Sequence, residues 1–161
     1  MLNSFFIFAM TFVSFVFASP NEQNTQTMTS LEIVDSDSDK VKVQLLVVHA
    51  TTKSEEVDPR LKNLLPYFSS YKYSSFKLLK EQENSLSDKS KERFVINGQR
   101  ILTVTLLSHD EKRARMKLKM TGAKGKVLLD TVISVNKNGT FIVAGPKYQE
   151  GILFLPITAS Y

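Results

Sequence analysis

From Arg93 onward, turn-forming residues interrupt the chain at short and regular intervals, and no other feature constrains the fold as strongly. Asn97-Gly98, Ser108 to Glu111, Thr121 to Gly125, Asn136 to Gly139 and Gly145-Pro146 leave only short segments between them. Those segments are Arg93 to Ile96, Gln99 to Leu107, Arg113 to Met120, Lys126 to Val135, Thr140 to Ala144 and Ile152 to Ala159. Several alternate apolar and polar residues with a period of two, the pattern of a half-buried strand. Asn97-Gly98 predicts a two-residue type I′ turn, because both residues tolerate positive φ. Two earlier segments read the same way, Val41 to Val48 and Phe76 to Glu81. The first begins in alternation and becomes apolar on both faces at Leu45-Leu46-Val47-Val48, which predicts a central strand. The expectation is a mainly β chain, an antiparallel β-sandwich of about eight strands with one short helix after the first strand.

That helix is expected from Asp58-Pro59, a capping residue followed by Pro at a first helical position, with Leu61, Leu64 and Leu65 on one side. Pro66 is expected to end it after two or three turns. The aromatic run that follows, from Tyr67 through Tyr71 and Tyr73 to Phe76, is interleaved with Ser and Lys. Such a run can stack on bases or sugars, but the stronger reading is a seal of large rings between helix and sheet.

The amino terminus has a different character. Residues 1–18 carry no charged side chain, and Phe5 to Ala18 holds six of the eleven Phe. The run is shorter than the roughly 20 residues that cross a bilayer as a helix, and it fits the apolar core of a signal peptide. Val16 and Ala18 stand where a signal peptidase reads, so cleavage before Ser19 is expected. Ser19 to Lys40 is polar and reads as a flexible leader, leaving residues 41–161 as the sandwich domain. Within the leader, Asp35-Ser36-Asp37-Ser38-Asp39 imitates a calcium loop. Lys40 occupies the place of the turn glycine and Leu46 that of the bidentate glutamate, so no calcium is expected. The destination is secreted or periplasmic.

The chemistry available to the chain is narrow. It has no Cys and two His, His49 and His109, which excludes a thiol nucleophile, a disulfide, a lipoprotein anchor and a three-histidine metal site from one copy. It lacks a nucleophile elbow, an HExxH helix, a phosphate loop and a dinucleotide fingerprint. Carboxylates such as Asp130 are scattered rather than paired at a visible spacing. The reading is therefore non-enzymatic, with no cofactor and no metal. Asn138-Gly139-Thr140 matches a glycosylation acceptor, though a tight turn explains the same residues.

The formal net charge is +5, and the clearest cationic feature is Arg113-Ala114-Arg115-Met116-Lys117-Leu118-Lys119-Met120, continued by Lys124 and Lys126. As a strand this segment puts Arg113, Arg115, Lys117 and Lys119 on one face, about 6 to 7 Å apart, and Ala114, Met116, Leu118 and Met120 on the other. Such a row attracts phosphate, sulfate or an anionic lipid surface. A plainer account makes it the wet face of a sheet, partly neutralised by cross-strand carboxylates. No recognition helix points to specific nucleic-acid reading. The last strand, with Leu153, Leu155, Ile157 and Ala159 on one face and Tyr161 at the end, also resembles the closing strand of a small outer-membrane β-barrel. Pro156 and the short strands weigh against that alternative.

Four segments, Val47-Val48-His49-Ala50, Asp58-Pro59-Arg60-Leu61, Tyr73-Ser74-Ser75-Phe76-Lys77-Leu78-Leu79 and Val143 through Leu153, carry a further likeness. Over about residues 41–158 the chain resembles an uncharacterised family of small exported bacterial β-rich proteins. The resemblance implies a compact β-rich module in the periplasm or outside the cell, and it transfers no catalytic residue. The functional expectation is a non-catalytic exported interaction or structural module of the cell envelope, its protein partner or ligand unspecified. The alternative is a binder of anionic polymers or lipid headgroups through the basic strand.

Overall fold

The computed structural model describes residues 40–161, so the expected signal peptide, most of the polar leader and the calcium-loop imitation lie outside the described residues. Eight strands form two antiparallel sheets of four. In chain order they are β1 (Val41–Thr51), β2 (Ser75–Leu86), β3 (Lys91–Ile96), β4 (Arg100–His109), β5 (Arg113–Thr121), β6 (Val127–Asn136), β7 (Gly139–Tyr148) and β8 (Gly151–Ser160). The first sheet has the order β2-β1-β8-β7 and the second the order β3-β4-β5-β6. The sandwich expectation is met, with β1 central as its two apolar faces require. The strands form two separate ladders, not the single closed one of a membrane barrel.

Alternation explains how the sheets meet. Val41, Val43, Leu45 and Val47 of β1 and Leu153, Leu155, Ile157 and Ala159 of β8 are fully buried. They share one apolar core with Phe94, Ile96, Leu102, Val104, Leu106, Met116, Leu118 and Met120 of the second sheet. The opposite face of β1 and β8 is dry at one end, while Lys42 and Gln44 at the other end stay in contact with solvent. Val48, Ala50 and Phe154 join Leu61, Phe68, Phe76 and Leu78 in a second apolar cluster, beneath the segment that joins β1 to β2. Two buried faces are what make β1 read as a continuous apolar run.

That connecting segment departs from expectation in detail. Pro59–Leu64 is a 3-10 turn, capped by the Asp58 carboxylate, which accepts from the Arg60 amide. A four-residue helix, α1 (Leu65–Phe68), follows directly. Pro66 therefore opens the second helical turn and does not close a longer helix. A proline near a helix start forfeits no intrahelical hydrogen bond, so the signal read as a stop also serves as a start. The aromatic seal is present: Phe68 stacks on Phe76 at 4.7 Å, and Tyr71 and Tyr73 meet Phe154 edge-on at 4.5 and 5.9 Å.

Three local corrections concern turns. Ile96 pairs with Arg100, so the β3–β4 loop has three residues where two were expected. Positive φ falls on Gly98 (79°) and Gln99 (56°), not on Asn97 and Gly98. Gly145-Pro146 is no corner; β7 runs through it as a bulge, since Ala144 faces Phe154 and Lys147 faces Ile152. Gly145 is nevertheless required there, because a Cβ would lie 2.7 Å from the Leu153 carbonyl oxygen. The reversal comes later, with Gln149 at φ 50°. Finally, not every turn joins two strands of one sheet, as a succession of hairpins read from the turn residues would have it. β2 to β3 and β6 to β7 each cross between sheets, because turn residues mark a reversal without saying which sheet receives the next strand.

Pro156 sits within central β8. It has no amide to donate, and the β1–β8 ladder is interrupted there, running from Leu45 opposite Ile157 directly to Val48 opposite Phe154.

Candidate functional site

Arg113, Arg115, Lys117 and Lys119 stand in a row on the exposed face of β5, while Ala114, Met116, Leu118 and Met120 are buried beneath. The geometry follows from the two-residue period and from the pairing of β5 on both sides, with β4 and β6. The first sheet has its outer face partly covered by the 3-10 turn and α1, through the second apolar cluster. The basic row lies instead on the outer face of the second sheet.

Cross-strand neighbours set the electrostatics of that face. On β6, Arg115 is opposite Ser134, Lys117 opposite Val132 and Lys119 opposite Asp130. Asp130 reaches diagonally to Lys117 at 3.3 Å, with both side chains nearly half exposed. An exposed pair of this kind adds little stability and is screened by salt. The neutralisation expected of a solvated sheet face thus amounts to one carboxylate against four cations in this row. Arg113, Arg115 and Lys119 have no ion-pair partner among the described residues. At the start of β5 the row is held by Asp110, whose carboxylate accepts from the backbone amides of Lys112 and Arg113. Those two amides keep its pKa below the usual carboxylate value.

Sequence reasoning identified this row and missed its neighbours. Lys91 and Arg93 of β3 are exposed on the same face, separated from β5 only by Thr103 and Thr105 of β4. The alternation Lys91-Glu92-Arg93 ahead of the buried Phe94 is the signal that places them. It becomes informative only once β3 and β5 are known to flank β4.

The two histidines do not meet. His49 lies inside β1, its Nε2 3.2 Å from the Tyr148 carbonyl oxygen and its ring edge-on to that tyrosine at 5.3 Å. His109 ends β4, at the opposite end of the sandwich, where its Nδ1 lies 2.8 Å from Asp88. Its neighbour is thus Asp88 of the β2–β3 connection as well as Asp110 beside it in sequence. The Tyr161 ring meets His109 edge-on at 5.3 Å, and Lys137 lies 4.9 Å over the same ring. Burial, and then the nearby Asp110 charge, push the Tyr161 phenol above its ordinary pKa, so it stays a neutral hydroxyl. Among the described residues no group of three or more His, Asp or Glu side chains is placed to hold a metal.

Asn138 is exposed at the tip of the β6–β7 turn with φ 56°, a conformation Asn tolerates well. No helix among the described residues is long and apolar enough to cross a membrane. Set against protein-family models, curated proteins and solved structures, the chain matches none.

Proposed function

We propose that the chain is a non-catalytic, exported interaction module of the cell envelope, and that the outer face of its second sheet is the surface that binds. The ligand class is an anionic polymer or a layer of anionic lipid headgroups. The supporting observation is the row of Arg113, Arg115, Lys117 and Lys119, exposed along one strand, in which, among the described residues, only Lys117 is paired, with the cross-strand carboxylate of Asp130. Export rests on the uncharged apolar residues 1–18 and the small residues that end them. Binding by such a row releases counterions from the polyanion, so affinity is steep in salt.

The test is retention on an anionic resin. The account expects elution at modest salt for the wild type and loss of retention when Arg113, Arg115, Lys117 and Lys119 are all replaced by Gln. Equal retention of wild type and variant contradicts it.

A further inference from the structure

The register of the second sheet builds a more specific arrangement than a single row. Lys91 is opposite Thr105, which is opposite Lys117; Arg93 is opposite Thr103, which is opposite Lys119. All four cations are exposed and both threonines are half-buried. The result is a frame of four cations, about 7 Å along the strands and roughly 10 Å across them, with two hydroxyl side chains on its floor. On the β3 side a shallow depression of about 410 Å³ is lined by Lys91, Glu92, Arg93 and Thr103. Along the next register position the face turns apolar, with Val95 paired to Ile101 and Val95 53% exposed.

We infer that this frame holds a single linear polysaccharide bearing sulfate esters, laid along the strands over Thr103 and Thr105. The inference rests on the anion-binding reading of the same face and narrows its ligand. Two cation rows with a lower line of threonines between them match the width of one chain, whereas a membrane plane meets only the outermost tips. Three of the four cations are Lys, point charges with rotatable donors. Together with hydroxyls from below, they offer hydrogen bonds from several directions, which suits a tetrahedral oxyanion better than the planar carboxylate that an Arg fork matches. A sulfate ester presents three free oxygens to two walls and a floor; a phosphodiester presents two. Val95 and Ile101 give the C–H face of a sugar ring an apolar surface on which to rest. Asp130, 3.3 Å from Lys117, is the carboxylate an incoming chain must pass, and it favours discrete sulfates over a uniform sheet of charge.

The experiment is a titration of the full chain with a heparin fragment at 50 and 200 mM salt, compared with hyaluronate, single-stranded DNA and vesicles containing phosphatidylserine. Four contacts, at the ~0.7 counterions each of a single-stranded polyelectrolyte, predict about 50-fold weaker heparin binding at the higher salt. Lys91→Gln/Arg93→Gln and Lys117→Gln/Lys119→Gln each reduce that loss to about 7-fold. Lys42→Gln/Lys77→Gln, with the same change in net charge on the other sheet, leaves it unaltered. Weakening by the β5 pair alone overturns the frame and leaves the anion-binding reading standing. So does tighter binding of vesicles, DNA or hyaluronate than of heparin. Failure of every anionic probe to bind overturns both.

Discussion

Gly151 enters β8 where the chain passes so close to the end of β1 that a Cβ would collide with the Ala50 carbonyl oxygen. The obstacle is backbone, so the neighbour cannot swing aside, and Gly151→Ala is expected to cost about 3 kcal/mol in urea denaturation. Asp58 acts through charge and hydrogen bonding. Its carboxylate accepts from the Arg60 amide at 3.0 Å and from the Arg60 guanidinium at 3.0 and 2.7 Å. The Arg60 side-chain hydrogen bonds, followed by the backbone one, hold its pKa at about 2 against an ordinary 3.8. The folded-state value is the lower one, so the stabilisation is complete above the unfolded value and disappears as the pH falls through about 2. Thermal melts between pH 5 and pH 2 should show the wild type losing an increment of stability that Asp58→Asn lacks throughout. Parallel curves for the two proteins contradict this account.

At the scale of elements, one open side of the sandwich is bridged by a side chain. Between β2 and β3 the Gln82 side chain acts as a substitute strand: its Nε2 donates to the Val95 carbonyl oxygen and its Oε1 accepts from the Val95 amide, both at 3.0 Å. An edge strand whose polar groups are occupied is a poorer template for another chain. Gln82→Ala should weaken local protection at Val95 by about 1 kcal/mol, read as roughly fivefold faster amide exchange, with distant core amides unchanged. All eight strands were legible from alternation and turn residues, because both are local properties of the chain. Their ends were less so: Tyr148 and Thr51 extend β7 and β1 well past the expected limits, since ladder pairing continues wherever a partner strand lies alongside. The sheet crossings were not legible, and neither was Leu79, the unpaired residue of β2 where the register shifts opposite Val47 and Val48. The same limit applied to the site. The β5 row is visible in one strand, whereas Lys91 and Arg93 join it only through pairing with β4.

At the scale of the whole molecule, the sandwich separates two tasks. The first sheet packs one face against the second sheet and part of the other beneath the aromatic cluster around Phe154. Burial of this kind, at roughly 25 cal/mol per Å² of apolar surface, carries the stability of a chain that has no disulfide. The second sheet buries one face only, which leaves the other free to carry Lys91, Arg93, Arg113, Arg115, Lys117 and Lys119. Like charges at this density repel one another, and an anionic ligand relieves that repulsion. The central claim is that this face is a binding surface and not merely a wet one. Amide chemical-shift mapping with a heparin fragment tests it most directly. The account predicts shifts concentrated at residues 91–93, 103–105 and 113–119, with β1 and β8 unmoved; an unperturbed spectrum, or shifts centred on the first sheet, would contradict it.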